Sequence, residues 1–139
     1  MDRDDLTPVD LLEEIRAALD EVDPLLVGRV VDIEMARLRV ITDPALFRRV
    51  FGRLVGAAVA QTEPANSITV RVARRGKNAR IEVIDEDRPP AHADLVDVST
   101  EAEEFRAIGG EIGATESVGT ATYWMTVPLE PGTASAAHA

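Results

Sequence analysis

The spacing of apolar residues near the start of the chain predicts a helix. Apolar residues recur at helical spacing from Val9 to Leu19, so one face of this helix would be buried. Thr7 is a residue type that caps helices, and Pro8 suits a first turn because its missing N–H needs no partner there. Asp23-Pro24 would end the helix, because the residue before a proline disfavours helical geometry. We therefore predict a first helix that is capped by Thr7.

Two further helices are predicted from their caps and apolar stripes. Asp43-Pro44 repeats the cap-then-proline start and opens the clearest apolar stripe of the chain. That stripe consists of Phe47, Val50, Phe51, Leu54, Val55, Ala58 and Val59. Thr100 and Glu103 form a capping-box pattern, which predicts a short third helix through Ile108. Gly109-Gly110 would end it, because glycine readily adopts the left-handed conformation that closes many helices.

Alternation of apolar and polar residues predicts strands between and after these helices. The predicted strands cover residues 27–35, 38–41, 68–73, 79–84, 111–115 and 121–129. The resulting order, α-β-β-α-β-β-α-β-β, predicts an α+β fold, a two-layer sandwich of a mixed β-sheet with helices on one face. We expect one domain over residues 1–129 and a disordered tail over residues 130–139, which are small and polar.

Composition and charge exclude several classes of protein. The 139 residues fit one domain, and an apolar content of 45% argues against wholesale disorder. A net charge of −10 disfavours binding to a nucleic-acid backbone, and the absence of cysteine excludes disulfides and thiolate metal sites. No apolar run approaches the roughly 18 residues of a membrane span, and the acidic start is unlike a signal peptide. We expect a cytoplasmic protein that neither enters a membrane nor binds nucleic acid.

Five short segments carry a resemblance to a known family. They are Val9-Asp10-Leu11-Leu12, residues 42–51, Val83-Ile84-Asp85, Gly109-Gly110-Glu111-Ile112 and Gly119-Thr120-Ala121-Thr122. In this order and spacing they resemble the ATP-binding domain of sensor histidine kinases, within the GHKL ATPase superfamily. The resemblance covers residues 9 to 129 and implies the Bergerat-like fold of that family.

The residues that handle metal and phosphate in this family are replaced here. The family's second helix carries two asparagines, one of which helps to ligate Mg²⁺, and the matching positions hold Arg53 and Ala57. A methyl group cannot donate an oxygen to a hard cation. Asp85 matches the aspartate of the family's Asp-x-Gly-x-Gly phrase, but Asp87 and Pro89 replace its two glycines, which permit close backbone approach to a ligand. We expect no metal ligand from this helix, and no bound ATP or Mg²⁺.

Part of the family's adenine site is retained. Asp85 and Thr122 are the vestigial adenine-site candidates, although a strand-terminal aspartate also commonly starts a turn. Residues 88–100 contain no glycine and so lack the backbone N–H nest of the family's phosphate anchor. Between Glu82 and Arg106 there are nine acidic residues against two basic ones, where relatives hold a polyphosphate. This local charge argues against ATP.

A basic cluster and an aromatic pair are the candidate partner contacts. The basic residues of the central hairpin are Arg71, Arg74, Arg75, Lys77 and Arg80. They predict either a solvated hairpin or a docking surface for an acidic partner or a second copy of the chain. Tyr123 and Trp124 are adjacent, so they face opposite sides of a strand. In the register set by Gly109-Gly110, Trp124 matches a core phenylalanine of the family, so the resemblance implies that Trp124 lies in the core and Tyr123 outside, as a partner contact.

The sequence offers no catalytic residues. It contains no nucleophile triad, metal-ligand cluster or phosphate-binding loop, and its histidines, His92 and His138, lie in an acidic loop and in the tail. A kinase of this family needs a phosphoacceptor histidine on a separate helical hairpin. We predict a degenerate, catalytically inactive domain that regulates or scaffolds a kinase or response regulator in bacterial two-component-type signalling.

Two alternatives remain open. The first is a functional ATP-binding domain that resembles that of a split histidine kinase or of an anti-sigma-factor-type kinase. It would bind ATP through Asp85 and hold Mg²⁺ by unorthodox ligands. The second is the terminal part of a larger kinase whose dimerisation helices are encoded elsewhere. The oligomeric state, including a homodimer, is left open by the sequence.

Overall fold

The computed structural model of this chain describes residues 6–22, 31–35, 37–60, 67–85, 99–117 and 120–131. Its helices are α1 (Leu11–Glu21), α2 (Pro44–Ala60) and α3 (Ser99–Ala107). Its strands are β1 (Thr7–Asp10), β2 (Val31–Met35), β3 (Arg39–Thr42), β4 (Ile68–Arg75), β5 (Asn78–Asp85), β6 (Glu111–Ser117) and β7 (Thr120–Pro128). None of the helices in these ranges is long and apolar enough to cross a membrane.

The strands form one large mixed sheet and one small sheet. The large sheet has the order β2-β4-β5-β7-β6, in which β2 pairs with β4 in parallel and the other neighbours are antiparallel. The small sheet is the antiparallel pair β1-β3. The predicted α+β sandwich with a mixed sheet is confirmed.

The helices cover one face of the large sheet and bury its apolar residues. Every second residue of the central strands belongs to one hydrophobic cluster with the helices. These strand residues are Ile68, Val70, Val72, Ala79, Ile81, Val83, Tyr123, Met125 and Val127. On α2, the rings of Phe47 and Phe51 stack one helical turn apart with their centroids 6.1 Å from each other. The other face of the sheet carries the alternate residues and lies outside this cluster.

The first helix begins later than the sequence predicts. Thr7 does not cap a helix; it lies in β1 and pairs with Thr42 of β3, so this prediction is wrong. Asp10 is the cap instead, and its side chain accepts a hydrogen bond from the Glu13 N–H at 3.3 Å. Val9 is buried opposite Val40, and that pairing keeps the chain extended for the four residues before α1. The helical spacing of apolar residues therefore includes Val9, which belongs to a short strand.

The predicted start of α2 and the predicted end of α3 agree with the structure, whereas α3 begins at Ser99, so Thr100 lies inside the helix and the prediction that it caps α3 is wrong. One carboxylate oxygen of Asp43 accepts hydrogen bonds from the N–H groups of Ala45 at 3.0 Å and Leu46 at 3.2 Å, at the start of α2. After α3, Gly109 adopts φ +93°, and the Gly110 N–H donates to the Phe105 carbonyl at 2.9 Å. The left-handed glycine thus closes α3 as predicted.

The aromatic pair on β7 has the opposite orientation to the predicted one. Tyr123 is fully buried and Trp124 is half-buried outside the core cluster, so the prediction that Tyr123 is an outward partner contact is wrong. In the β6–β7 hairpin, Tyr123 pairs with Ala114 and Trp124 with Gly113. Because side chains alternate along a strand, a register shifted by one residue exchanges the two faces. The core face of β7 is that of Tyr123, Met125 and Val127.

The end of β7 extends the ordered chain slightly into the predicted tail. Glu130 donates its N–H to the Arg39 carbonyl at 2.9 Å, and its carboxylate lies 2.7 Å from the Arg39 Nε. Residue 130 is therefore fixed to β3. Residues 132–139 of the predicted tail lie outside the described ranges.

Candidate functional site

The retained aspartate of the family motif lies at the end of a central strand. Asp85 is the last residue of β5, and its backbone pairs with Ala121 of β7. Position 85 has the same strand parity as Ile81 and Val83, which are fully buried beneath the helices. The contact of Asp85 with adenine, which the resemblance implies, stays a prediction.

The helix above this face offers no oxygen at the position of the family's metal ligand. Ala57 is 3% exposed on α2, and Arg53, one turn earlier, is exposed. A buried methyl group contributes apolar packing and cannot coordinate a hard cation. Within the described residues, no cluster of three or more His, Cys, Asp or Glu side chains is arranged to hold a metal ion.

The second adenine-site candidate lies on the face of the sheet that the helices leave open. Thr122 pairs with Ile84, and it shares its strand face with Trp124 and Thr126. Asp85 pairs with Ala121, the residue before Thr122, so both candidates lie at the same end of the β5–β7 pair. A joint adenine contact by the two residues stays a prediction.

Several predicted features lie outside the described residues. These are the motif positions Asp87 and Pro89, His92 with most of the acidic segment, and His138. The expectations about a missing phosphate anchor and about the histidines stay predictions.

The open face of the sheet carries a stacked group of side chains that the sequence analysis did not recognise. The Arg80 guanidinium carbon lies 4.6 Å from the centroid of the Trp124 ring, and the Arg80 Nε lies 3.1 Å from a carboxylate oxygen of Glu82. The indole also covers Gly113, where a β-carbon would come within 2.4 Å of the ring. The signal was the glycine opposite Trp124, because glycine in a strand often marks close approach by a neighbour.

The five basic residues of the central hairpin divide into two groups. Arg71 and Arg80 lie on the open face, where Arg71 Nη2 is 3.2 Å from a Glu34 carboxylate oxygen of β2 and Arg80 pairs with Glu82. The remaining three, Arg74, Arg75 and Lys77, lie at the β4–β5 turn. The predicted cluster is thus one pair of neutralised arginines and one separate group at the turn.

Comparisons with known proteins identify the fold. No protein-family model matches this sequence, and no curated protein matches it. Among solved structures, the chain is similar to the Acinetobacter baumannii histidine kinase AdeS, with a TM-score of 0.74 and 13% identity over 90% of this chain and 68% of that one. It is similar to the mycobacterial sensor histidine kinase MprB, with a TM-score of 0.73 and 14% identity over 90% of this chain and 98% of that one.

A third similar structure is the catalytic domain of the histidine kinase ThkA, with a TM-score of 0.72 and 18% identity over 88% of this chain and 96% of that one. ThkA has also been solved in complex with the response regulator TrrA. At these identities the likeness concerns the fold. This chain has the fold of histidine kinase catalytic domains.

Proposed function

We propose that this chain is a histidine-kinase-like ATPase domain without nucleotide chemistry, which acts by contact with a kinase or response regulator in two-component-type signalling. The observation that most supports the loss of chemistry is Ala57, a buried methyl group on α2 where the family carries its metal-ligating asparagine. ATP is bound by such domains together with Mg²⁺, so a site without that ligand loses affinity for the nucleotide–metal complex.

The position of Thr122 supports the same proposal. Thr122 lies on the open face of the sheet, whereas Ala57, at the family's metal position, lies on α2, which covers the other face. Asp85 without Thr122 would supply one hydrogen bond to a charged acceptor, which contributes about 1.5–3 kcal/mol in net terms. That contribution is small against the cost of ordering a nucleotide in a site.

Action by contact is supported by a similar protein. ThkA, whose catalytic domain shares this fold, is known in complex with the response regulator TrrA. A domain that keeps this fold without the chemistry could still act through contact with such a partner. The partner of this chain is therefore proposed to be a signalling protein of one of these two kinds.

The competing function is a working ATP-binding domain, and Asp85 at the end of β5 is the observation that favours it. A thermal-shift series with ATP and ADP, each with and without Mg²⁺, separates the two. A ligand at about 100 times its Kd stabilises the folded state by about 2.7 kcal/mol, which raises the melting temperature by roughly 8 °C in a domain of this size. ShkA, a similar protein that has been solved in complex with AMPPNP, serves as the control that shifts.

We expect no Mg²⁺-dependent shift for this chain under conditions where ShkA responds. Incubation with labelled ATP, a candidate partner that carries a phosphoacceptor histidine and a candidate response regulator gives the second readout. Transfer of label to the regulator would support the competing function, and its absence together with binding of the unphosphorylated regulator would support the proposed one.

A further inference from the structure

The turn between β4 and β5 carries cations that lack the ion pairs made by most arginines among the described residues. The arginines of these ranges that lie within 4.0 Å of a carboxylate oxygen include Arg37, Arg39, Arg48, Arg49, Arg71, Arg80 and Arg106. In the described part of the chain, the cations without such a contact are Arg16, Arg74, Arg75 and Lys77. Three of these four cations lie within four successive residues at one turn. We refer to Arg74, Arg75 and Lys77 as the basic cap.

The backbone beneath the basic cap is fixed. Arg75 pairs with Asn78, so Gly76 and Lys77 form a two-residue hairpin loop. Gly76 has φ +60° and Lys77 has a negative φ, which together indicate a type II′ turn, matched to the twist of a hairpin. The Lys77 carbonyl also accepts a hydrogen bond from the Leu129 N–H at 2.9 Å. A partner would therefore meet the basic cap at little cost in backbone ordering.

The basic cap presents charge on both sides of the hairpin and at its end. Arg75 has the strand parity of Arg71 on the open face, whereas Arg74 has the parity of Val72 on the helix-covered face. Lys77 is exposed in the turn itself. This distribution suits insertion of the hairpin end into an acidic recess better than contact with a flat surface.

Two carboxylates close to the β4–β5 hairpin are bound to other arginines. Glu130 follows Leu129, which bonds to the turn, but its carboxylate lies 2.7 Å from Arg39. Glu82, on the same hairpin, lies 3.1 Å from Arg80. Although acidic residues outnumber basic ones by 25 to 15, the three cations of the basic cap have no carboxylate partner among the described residues.

We propose that the basic cap is the docking site for an acidic surface of a protein partner. This inference rests on the proposed function, because it states the chemistry of the partner that a contact-acting domain would meet. A compact carboxylate cluster engages the cap at short range, where Coulomb attraction is strongest. A long polyanion such as nucleic acid would also be repelled by the acidic remainder of the chain, whose net charge as a whole is −10.

The probe for this site is a synthetic glutamate-rich decapeptide, titrated into the ¹⁵N-labelled full chain and followed by amide chemical shifts. We expect shifts at residues 74–78, and a loss of affinity of about tenfold when the NaCl concentration is raised from about 50 to about 300 mM. A lysine-rich decapeptide of equal length should cause no shift at the cap.

Arg75→Glu and Arg16→Glu form a matched pair of variants. Both replace an exposed arginine without an ion pair by glutamate, and Arg16 lies on α1. Reversal of one cap charge should weaken the affinity for the glutamate-rich peptide by about tenfold. The affinity of the Arg16 variant should stay within about twofold of that of the parent. Lys77→Glu is the second cap variant, with the same expectation as Arg75→Glu. Dispersed amide spectra establish that each variant is folded.

Three results would overturn the inference. The first is that the peptide causes no chemical-shift changes at residues 74–78, and the second is that the Arg75 and Arg16 variants lose the same amount of peptide affinity. The third is that another anion binds the cap more tightly than the peptide does. Inorganic phosphate, vesicles containing anionic lipid, a short RNA and the unlabelled chain itself provide those comparisons. The peptide titration contains no nucleotide, so its failure is distinct from failure of the proposed function. Mg²⁺-dependent ATP binding would overturn the proposed function and leave the cap result intact.

Discussion

The indole ring of Trp124 lies directly over Gly113 of the neighbouring strand. A β-carbon at Gly113 would come within 2.4 Å of Trp124 Cζ2 and 2.6 Å of Cε2. Gly113 and Trp124 are register partners in the β6–β7 hairpin, and Arg80 stacks over the same ring at 4.6 Å. The missing side chain of the glycine therefore makes room for the tryptophan on the open face of the sheet.

Gly113→Ala should displace the tryptophan. The ring has to leave the position over β6, and it then loses packing and the Arg80 stack, at a cost of about 1–3 kcal/mol in the free energy of unfolding. Urea unfolding followed by circular dichroism measures this cost. Because the chain has a single tryptophan, its fluorescence emission should also move to longer wavelength. Unchanged stability and emission would contradict the close contact.

Gly56→Ala should have the opposite effect. Gly56 lies inside α2 with ordinary helical backbone, and a β-carbon there would meet nothing within 4 Å. Alanine is favoured over glycine in a helix interior by about 0.8–1 kcal/mol, so the free energy of unfolding should rise by about this amount. The same unfolding experiment measures it, and the variant serves as the matched control for Gly113→Ala. A decrease in stability would show that the helix is packed differently at this position.

Tyr123→Ala and Trp124→Ala should differ strongly in stability. Tyr123 is fully buried in the core, and removal of a core aromatic side chain costs about 3–5 kcal/mol. Trp124 is only half-buried on the open face, so its truncation should cost about 1 kcal/mol. Thermal unfolding of both variants measures the difference. Comparable losses, or a greater loss for Trp124→Ala, would restore the register predicted from the sequence.

Asp43→Ala should weaken the start of α2. The Asp43 carboxylate accepts hydrogen bonds from the N–H groups of Ala45 and Leu46, which have no partner within the helix. Loss of such a cap costs about 0.5–2 kcal/mol in the free energy of unfolding. Asp43→Asn is the control, because an asparagine side chain can cap a helix about as well. If the two variants were equally destabilised, the capping role would be excluded.

The elements with strong local signals could be predicted from the sequence. The α2 helix has a cap, a proline and a long apolar stripe, and the β4–β5 hairpin has a glycine turn between two alternating segments. In each case the local preference and the tertiary contacts favour the same structure. The closing of α3 by Gly109 belongs to this group as well.

The parts that escaped prediction depend on long-range pairing. β1 forms only because it meets β3, about 30 residues away in the chain, while its own residues also suit a helix start. The faces of Tyr123 and Trp124 depend on the register of the β6–β7 hairpin, and both residues are acceptable on either side of a sheet. The same register puts Thr122 on the open face of the sheet, which the motif alone could not reveal.

The central claim is that this fold, with Ala57 at the metal position, does not bind ATP with Mg²⁺. Isothermal titration calorimetry of the full chain with ATP in the presence of Mg²⁺ tests it most directly, with ShkA as the binding control. We expect no saturable heat at ATP concentrations up to about 1 mM, a limit that corresponds to a binding free energy weaker than about −4.1 kcal/mol. A saturating isotherm at micromolar ATP that disappears when Mg²⁺ is removed would contradict it.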